Sequence, residues 1–267
     1  MPTTLAPTSA PAPHWRDLGR RLIGALLLYL SITTVHGDPL RVVTEHWPPF
    51  NHQENGEVVG LSSEIVRATL ERAGLNYQIE VLPWARAYRR ASQTPNTLIY
   101  TIARTAEREA QFKWIGPFAE RRIHLFKLKT RQDIQISRFE DLKAYRIAIY
   151  YEDATHQELL KLGFPPEQLA LITAENSNTL MLARGRVDLI PGNAFSLAHQ
   201  LEEPDMQGIL NYQELEKAWL LFDQGGYYMA FNRETPDELV ERVRQAFVQL
   251  EREGRIQQLI ERYFASH

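Results

Sequence analysis

Leu98–Phe118 reads LIYTIARTAEREAQFKWIGPF. The apolar run from Leu98 to Ala103 has the length of one buried strand. Thr105 stands where an N-cap would, ahead of acids and bases at turn spacing, and predicts a helix beginning there. Arg108 falls in the first turn of that helix, just past the strand end. A guanidinium and free backbone N–H groups at such a place can face one crevice. Both suit a small anion, and arginine can grip a carboxylate through two parallel bonds. An isolated Thr-x-x-Arg reads equally as a solvated first turn, so the surrounding chain has to decide.

Outward from this stretch, strands and helices alternate. A strand at Leu40–Thr44 leads to a helix at Ser62–Ala73, a strand at Tyr77–Leu82, a helix at Ala85–Ser92 and the strand Thr97–Ala103. Ile123–Leu128 reads as extended and crosses to a second lobe. There a strand at Arg146–Tyr150, a helix at Ala154–Leu162, a strand at Ala170–Ile172, a helix at Thr179–Arg184 and a strand at Val187–Ile190 follow. Tyr227–Phe231 reads as a return strand. Two amphipathic helices close the chain, with Leu239, Val243, Phe247 and Leu250 at helical spacing. Such alternation builds α/β sheets that bind ligands at the carboxyl ends of their strands.

The segments that carry this order resemble the family 3 periplasmic solute-binding proteins, the polar-amino-acid binders of ABC importers. LRVVTEHWPPF (Leu40–Phe50) resembles the family's first strand and exit loop. GEVVGLSSEIVRATLERAG (Gly56–Gly74) resembles its first helix, entered through glycine. LPWARAYRRA (Leu82–Ala91) matches the segment after the second strand, GRVD (Gly185–Asp188) an entry to a second-lobe strand, and Asn232–Phe264 the closing helices. The resemblance implies a two-lobed periplasmic binding protein fold (type II), each lobe a mixed central sheet flanked by helices, joined by two hinge crossings near Ile123–Leu128 and Leu220–Gly226. The expected division is a signal peptide over 1–37, lobe one over 38–124 plus 226–267, and lobe two over 125–225. Closure of the lobes on a ligand follows from that arrangement.

The same resemblance implies the site. Arg108 would hold a ligand carboxylate. Trp47, in the exit loop of the first strand, would lie on the ligand, where an indole can stack on a planar or cationic group. Trp84 would form a second wall, and Thr101 and Ala103 would hydrogen-bond the ligand, Ala103 through its backbone alone. The second lobe departs from the family. Tyr150-Tyr151-Glu152-Asp153 replaces a Gly-Thr-rich turn, and brings Tyr151 and Glu152 to the site. Asp153 reads as the cap of the following helix, with Thr155 and Glu158 at capping-box spacing. Asn193 stands five residues after Asp188, where the family's amino-acid binders carry an ammonium-holding Asp. Asparagine accepts a hydrogen bond without charge. Weak or absent binding of ordinary α-amino acids is therefore expected, and a ligand with a planar portion against Trp47 and Trp84; the alternative is that water or Glu152 takes over the ammonium and keeps an amino-acid ligand.

Arg16, Arg20 and Arg21 precede an apolar run from Leu22 to about Ile32, and small residues follow to Gly37. A run of about 11 residues fits a cleaved export signal rather than a membrane span, so a periplasmic protein cleaved near Gly37 is expected. Loss of a segment of net charge +2 takes the total from −3 to −5. That acidity argues against a nucleic-acid partner. With 44% hydrophobic residues the chain can build cores, and with no cysteine it does so without disulfides. The histidines have no zinc-binding spacing, and neither a GxSxG elbow nor a phosphate-binding glycine loop is present. The expectation is a monomeric, non-enzymatic protein without metal or cofactor that passes a small polar solute to an inner-membrane ABC permease. The alternatives are a sensing module acting through a membrane receptor and a dehydratase-like enzyme, since one relative on this fold is a secreted cyclohexadienyl dehydratase.

Overall fold

The computed structural model describes Met1 and residues 39–174 and 176–266; apart from Met1, the expected signal peptide lies outside the described residues. The decisive stretch forms strand β5 (Thr97–Ala103), and every one of its seven residues is buried. It lies at the centre of a five-stranded sheet ordered β4-β1-β5-β12-β6, with β1 at Leu40–Thr44, β4 at Tyr77–Val81, β6 at Phe112–Glu120 and β12 at Gly226–Asn232. The β1–β4 and β1–β5 pairs are parallel, whereas β12 runs antiparallel to both β5 and β6. Burial on both faces explains why β5 reads as a continuous apolar run. Leu98 and Tyr100 pack with helices α1 (Leu61–Arg72), α6 (Asp237–Arg252) and α7 (Arg255–Ser266). Ile99 packs with α2 (Trp84–Gln93) and with Phe112 and Trp114 of β6. The Tyr100 hydroxyl meets Ser63 at 2.8 Å, and burial pushes its pKa up to about 12.

Alternation slips at Thr101. Its φ is +60°, a conformation rare for a β-branched residue, and the β5–β12 register shifts beside it. Past this bulge Ile102 rejoins the face of Ile99, and Ala103 rejoins that of Leu98 and Tyr100. The hairpin β2 (His52–Glu54) and β3 (Glu57–Val59) precedes α1, and Gly60 at its entry has φ +108°. A Cβ there would lie 2.5 Å from the Phe50 carbonyl oxygen, so only glycine fits.

The helix expected at Thr105 does not form. Residues 106–108 make a turn, Glu109–Gln111 a single 3₁₀ turn, and β6 begins at once. β6 escapes sequence reading because Gly116-Pro117 breaks its period in the middle.

The second lobe holds a three-stranded sheet, β10-β7-β11, made of β7 (Ile123–Leu128), β10 (Ile190–Gly192) and β11 (Leu215–Phe222), all antiparallel. A parallel pair, β8 (Ile147–Tyr150) and β9 (Leu169–Ile172), joins it through a bridge from Ile147 to Leu189. Helices α3 (Ala154–Lys161), α4 (Ser177–Ala183) and α5 (Ala194–Glu202) cover these strands. Ile123–Leu128 is thus a paired strand of the second sheet. The chain leaves the first sheet at Arg121–Arg122 and returns at 223–225. The two crossings touch: Arg121 N–H donates to Gly225 O at 3.4 Å, and Arg122 Nε meets Asp223 at 2.7 Å.

Candidate functional site

β5 delivers Thr101 and Ala103 to a cleft of about 120 Å³ that both lobes line. The turn after β5 supplies Arg108, the loop after β1 supplies Trp47, and the start of α2 supplies Trp84. Across from them stand Tyr150 and Asp153 before α3, Asn176 and Asn178 at the start of α4, and Asn193 before α5. Arg121, from the first crossing, and Tyr227, near the start of β12, also line it.

Arg108 dominates the first wall. It is 1% exposed. Its carbon Cζ lies 5.0 Å from the Trp84 ring and 4.8 Å from Tyr88, and these two rings stack at 5.6 Å. Nη2 donates to Glu152 O at 2.8 Å and Nη1 to Ala103 O at 3.4 Å, while Nε has no hydrogen-bond partner. Among the described residues no carboxylate forms an ion pair with it. Burial pushes its pKa down, with Asp153 the largest opposing influence. The side chain stays charged, so a buried guanidinium faces the cleft, hydrogen-bonded to two carbonyl oxygens.

Arg121 is the second buried guanidinium, and sequence reading missed it. It sits in the first crossing and grips Glu158 of α3 with both nitrogens, at 3.1 and 2.5 Å. It also donates to Thr155 Oγ1 at 3.3 Å and lies 4.9 Å over the Phe222 ring. Burial weighs against its charge, but Glu158 outweighs burial and the pKa is raised. Glu158 is therefore an ion-pair partner, and the cap of α3 is Asp153, whose Oδ1 accepts from Thr155 N at 2.7 Å. Tyr227 is buried, and burial drives its phenol pKa well up.

Of the residues expected from the sequence, Trp47, Trp84, Thr101, Ala103, Arg108 and Asn193 come together on this cleft. Trp47 packs on Phe50 at 4.8 Å and on Tyr227 at 5.0 Å. Trp84 gives one face to Arg108 and so positions the guanidinium. Asn193 caps α5, its Oδ1 accepting from Phe195 N and Ser196 N at 3.0 and 3.3 Å. The structure places Tyr151 outside the cleft. β8 ends with Tyr150 turned inward, and the next side chain points out and is 40% exposed. Glu152, at φ +61°, brings its carbonyl oxygen to Arg108 and not its carboxylate. Asp153 is the acid that lines this wall.

Among the described residues, four buried polar atoms of the cleft have no hydrogen-bond partner: Thr101 Oγ1, Trp84 Nε1, Arg108 Nε and Asn178 Oδ1. Interiors leave few such atoms unpaired, and their clustering makes this cleft the candidate binding site. The lobes also bond to each other directly. His46 Nε2 lies 2.7 Å from Glu203, Ser196 Oγ donates to Pro48 O, and Lys161 reaches Glu107 at 2.8 Å. Among the described residues no helix is long and apolar enough to cross a membrane, and no group of three or more His, Asp or Glu could hold a metal ion.

Residues 40–266 match the sequence model of the bacterial extracellular solute-binding proteins, family 3. The chain belongs to that family. This family 3 protein is 22% identical over 219 residues to the probable amino-acid-binding protein YxeM of Bacillus subtilis (strain 168), covering 81% of this chain and 80% of the relative. In structure it resembles a histidine kinase sensor domain with similarity to periplasmic binding proteins, at TM-score 0.74 and 17% identity over 85% of this chain and 96% of the other. It also resembles an ancestral arginine-binding protein bound to arginine, at TM-score 0.71 and 21% identity over 85% and 98%. The arginine-, lysine-, histidine-binding protein ArtJ of Geobacillus stearothermophilus gives 0.71 and 18% over 85% and 95%. The periplasmic-binding-protein fold expected from the sequence is the fold of the protein.

Proposed function

We propose that this family 3 protein is exported to the periplasm and captures, between its lobes, a small polar solute bearing an acidic group. It then delivers the solute to an inner-membrane ABC permease without chemical turnover. The observation that carries this reading is Arg108, a fully buried guanidinium in the cleft with no ion-paired carboxylate among the described residues. A ligand anion would supply the missing charge and accept from Nε. Trp84 and Tyr88 already hold the guanidinium in place, so little order has to be created on binding. The crossings at Arg121–Arg122 and 223–225 serve as the hinge, and the ligand selects the bridged arrangement of the lobes.

Loss of a charge-assisted hydrogen bond costs about 1.5–3 kcal/mol, so Arg108→Ala should weaken binding about ten-fold to more than a hundred-fold. Ligands are found by thermal shift across amino acids, polyamines, small carboxylates and aromatic acids, and then titrated by calorimetry. Unchanged affinity in Arg108→Ala would end this reading. The sensor-domain likeness makes a receptor the competing recipient. Co-purification with a permease supports transport, and co-purification with a sensor kinase would replace it.

A further inference from the structure

Among the described residues, four carboxamides line the second wall: Asn176, Asn178, Asn193 and Gln200. Three of them are held by the protein itself. Gln200 Nε2 donates to Asn176 Oδ1, Asn176 Nδ2 donates to Asp205 at 2.7 Å, and Asn193 Oδ1 caps α5. Asn178, the second residue of α4, differs. It is 5% exposed, yet its Oδ1 has no hydrogen-bond partner among the described residues. A buried carbonyl oxygen without a donor costs the free protein stability, so a cleft that keeps one is built to receive a donor from outside. The first wall makes the opposite demand. Arg108 Nε and Trp84 Nε1 are donors without partners, and the Thr101 hydroxyl can serve either way. A solute offering acceptors alone, such as a carboxylate on an alkyl chain, would answer the first wall and leave Asn178 unanswered. A cationic group beside Asn178 would need a counter-charge. The acids bonded into this amide cluster, Glu203 and Asp205, are occupied by His46 and Asn176.

We infer that Asn178 is a specificity-determining residue of the second lobe. It selects a solute that carries, apart from its acidic group, an uncharged N–H or O–H donor such as a carboxamide or a hydroxyl. This rests on the proposed capture of an acid at Arg108 and adds the second group by which the acid is chosen. A site that hydrogen-bonds a substrate group rejects the analogue lacking it more strongly than an apolar pocket rejects an extra methylene.

Asn178→Leu tests this, because it removes the unpaired oxygen at similar size and breaks no side-chain bond made by Oδ1. Its melting temperature should match or exceed that of wild type. The probes are short acids that differ only at the far end: succinamate, 4-hydroxybutyrate, pentanoate, 4-aminobutyrate and succinate. A second set carries a 2-amino group: asparagine, homoserine, norvaline, 2,4-diaminobutyrate and aspartate. Asp153 lines the same wall, which is why ammonium and carboxylate ends are included. Each is titrated by calorimetry against wild type, Asn178→Leu and Arg108→Ala. In at least one set, wild type should bind the carboxamide or hydroxyl end about ten- to a hundred-fold more tightly than the methyl end, and Asn178→Leu should bring the two within about three-fold. Arg108→Ala should weaken every acid that binds. A preference for the carboxamide or hydroxyl that survives Asn178→Leu overturns the inference, and so does a wild type that favours the methyl, ammonium or carboxylate end in both sets. If the acids still depend on Arg108 in those cases, capture of an acid stands and only the role of Asn178 falls. If no probe binds, or none depends on Arg108, both fall.

Discussion

Replacing Glu158 by Gln should destabilise the protein well beyond the value of an ordinary surface ion pair. The Arg121 side chain is 6% exposed and that of Glu158 23%, and the guanidinium grips the carboxylate through two nitrogens. Removing one member of a fully buried pair costs about 3–5 kcal/mol, because the remaining charge stays desolvated. Partial exposure of Glu158 lets water reach the site, which brings the expected cost to about 2–3 kcal/mol. For a chain of this size each kcal/mol lowers the melting temperature by about 2–4 °C, so a fall of roughly 4–12 °C is expected. Urea unfolding of wild type and Glu158→Gln measures the difference. The double variant Arg121→Met, Glu158→Leu removes both charges and should recover most of the loss. A Glu158→Gln variant within about 0.5 kcal/mol of wild type would show that the pair is solvated, and that the crossing is not anchored to α3 through it.

Three other outcomes follow from the same structure. Gly60→Ala should cost more than about 1 kcal/mol and lower the urea midpoint, because φ is +108° and a Cβ would strike the Phe50 and Pro49 backbone; an unchanged midpoint would contradict that packing. The pKa values of His52, His124 and His156 are lowered, burial being the main cause in each. The unfolded chain then binds more protons below the ordinary histidine pKa of about 6.5, so stability should fall as pH drops through that value toward the lowered ones; equal urea midpoints at pH 7.5 and 5.5 would refute it. Glu203→Gln weakens the bridge to His46 between the lobes and should raise the radius of gyration of the ligand-free protein in small-angle scattering, with saturating ligand restoring compactness; a radius unaffected by the substitution would mean that the bridge does not hold the lobes together.

The strands β1, β4, β5 and β12 and the helices around them were legible because long apolar runs and helical spacing survive in the sequence. β6 and β11 were not, since Gly116-Pro117 interrupts one and most of the other stays partly exposed. Arg108 was legible from its place after a buried strand, although the helix thought to present it is a turn. Arg121 stands next to Arg122 in a stretch that reads as surface charge, and only the Glu158 contact, made across 37 residues, shows that the side chain turns inward. At Tyr151-Glu152-Asp153 composition identified an acidic patch but not its orientation. A single residue of phase decides which of the three faces the cleft, and that phase is set by where β8 stops.

The order β4-β1-β5-β12-β6 places a strand from late in the chain between two early ones. The pairing of Ala103 with Tyr227 encloses the whole second lobe in one loop, whose ends must meet before the first sheet can be completed. Closing so long a loop carries an entropic cost before any contact repays it, and non-local pairing of this kind slows folding. Until β12 is synthesised, β5 and β6 lack their shared partner and α6 and α7 are missing from the first core. The nascent chain therefore cannot lock into its final form early. If the chain is exported as proposed, that delay keeps the polypeptide threadable until its last helices have left the ribosome.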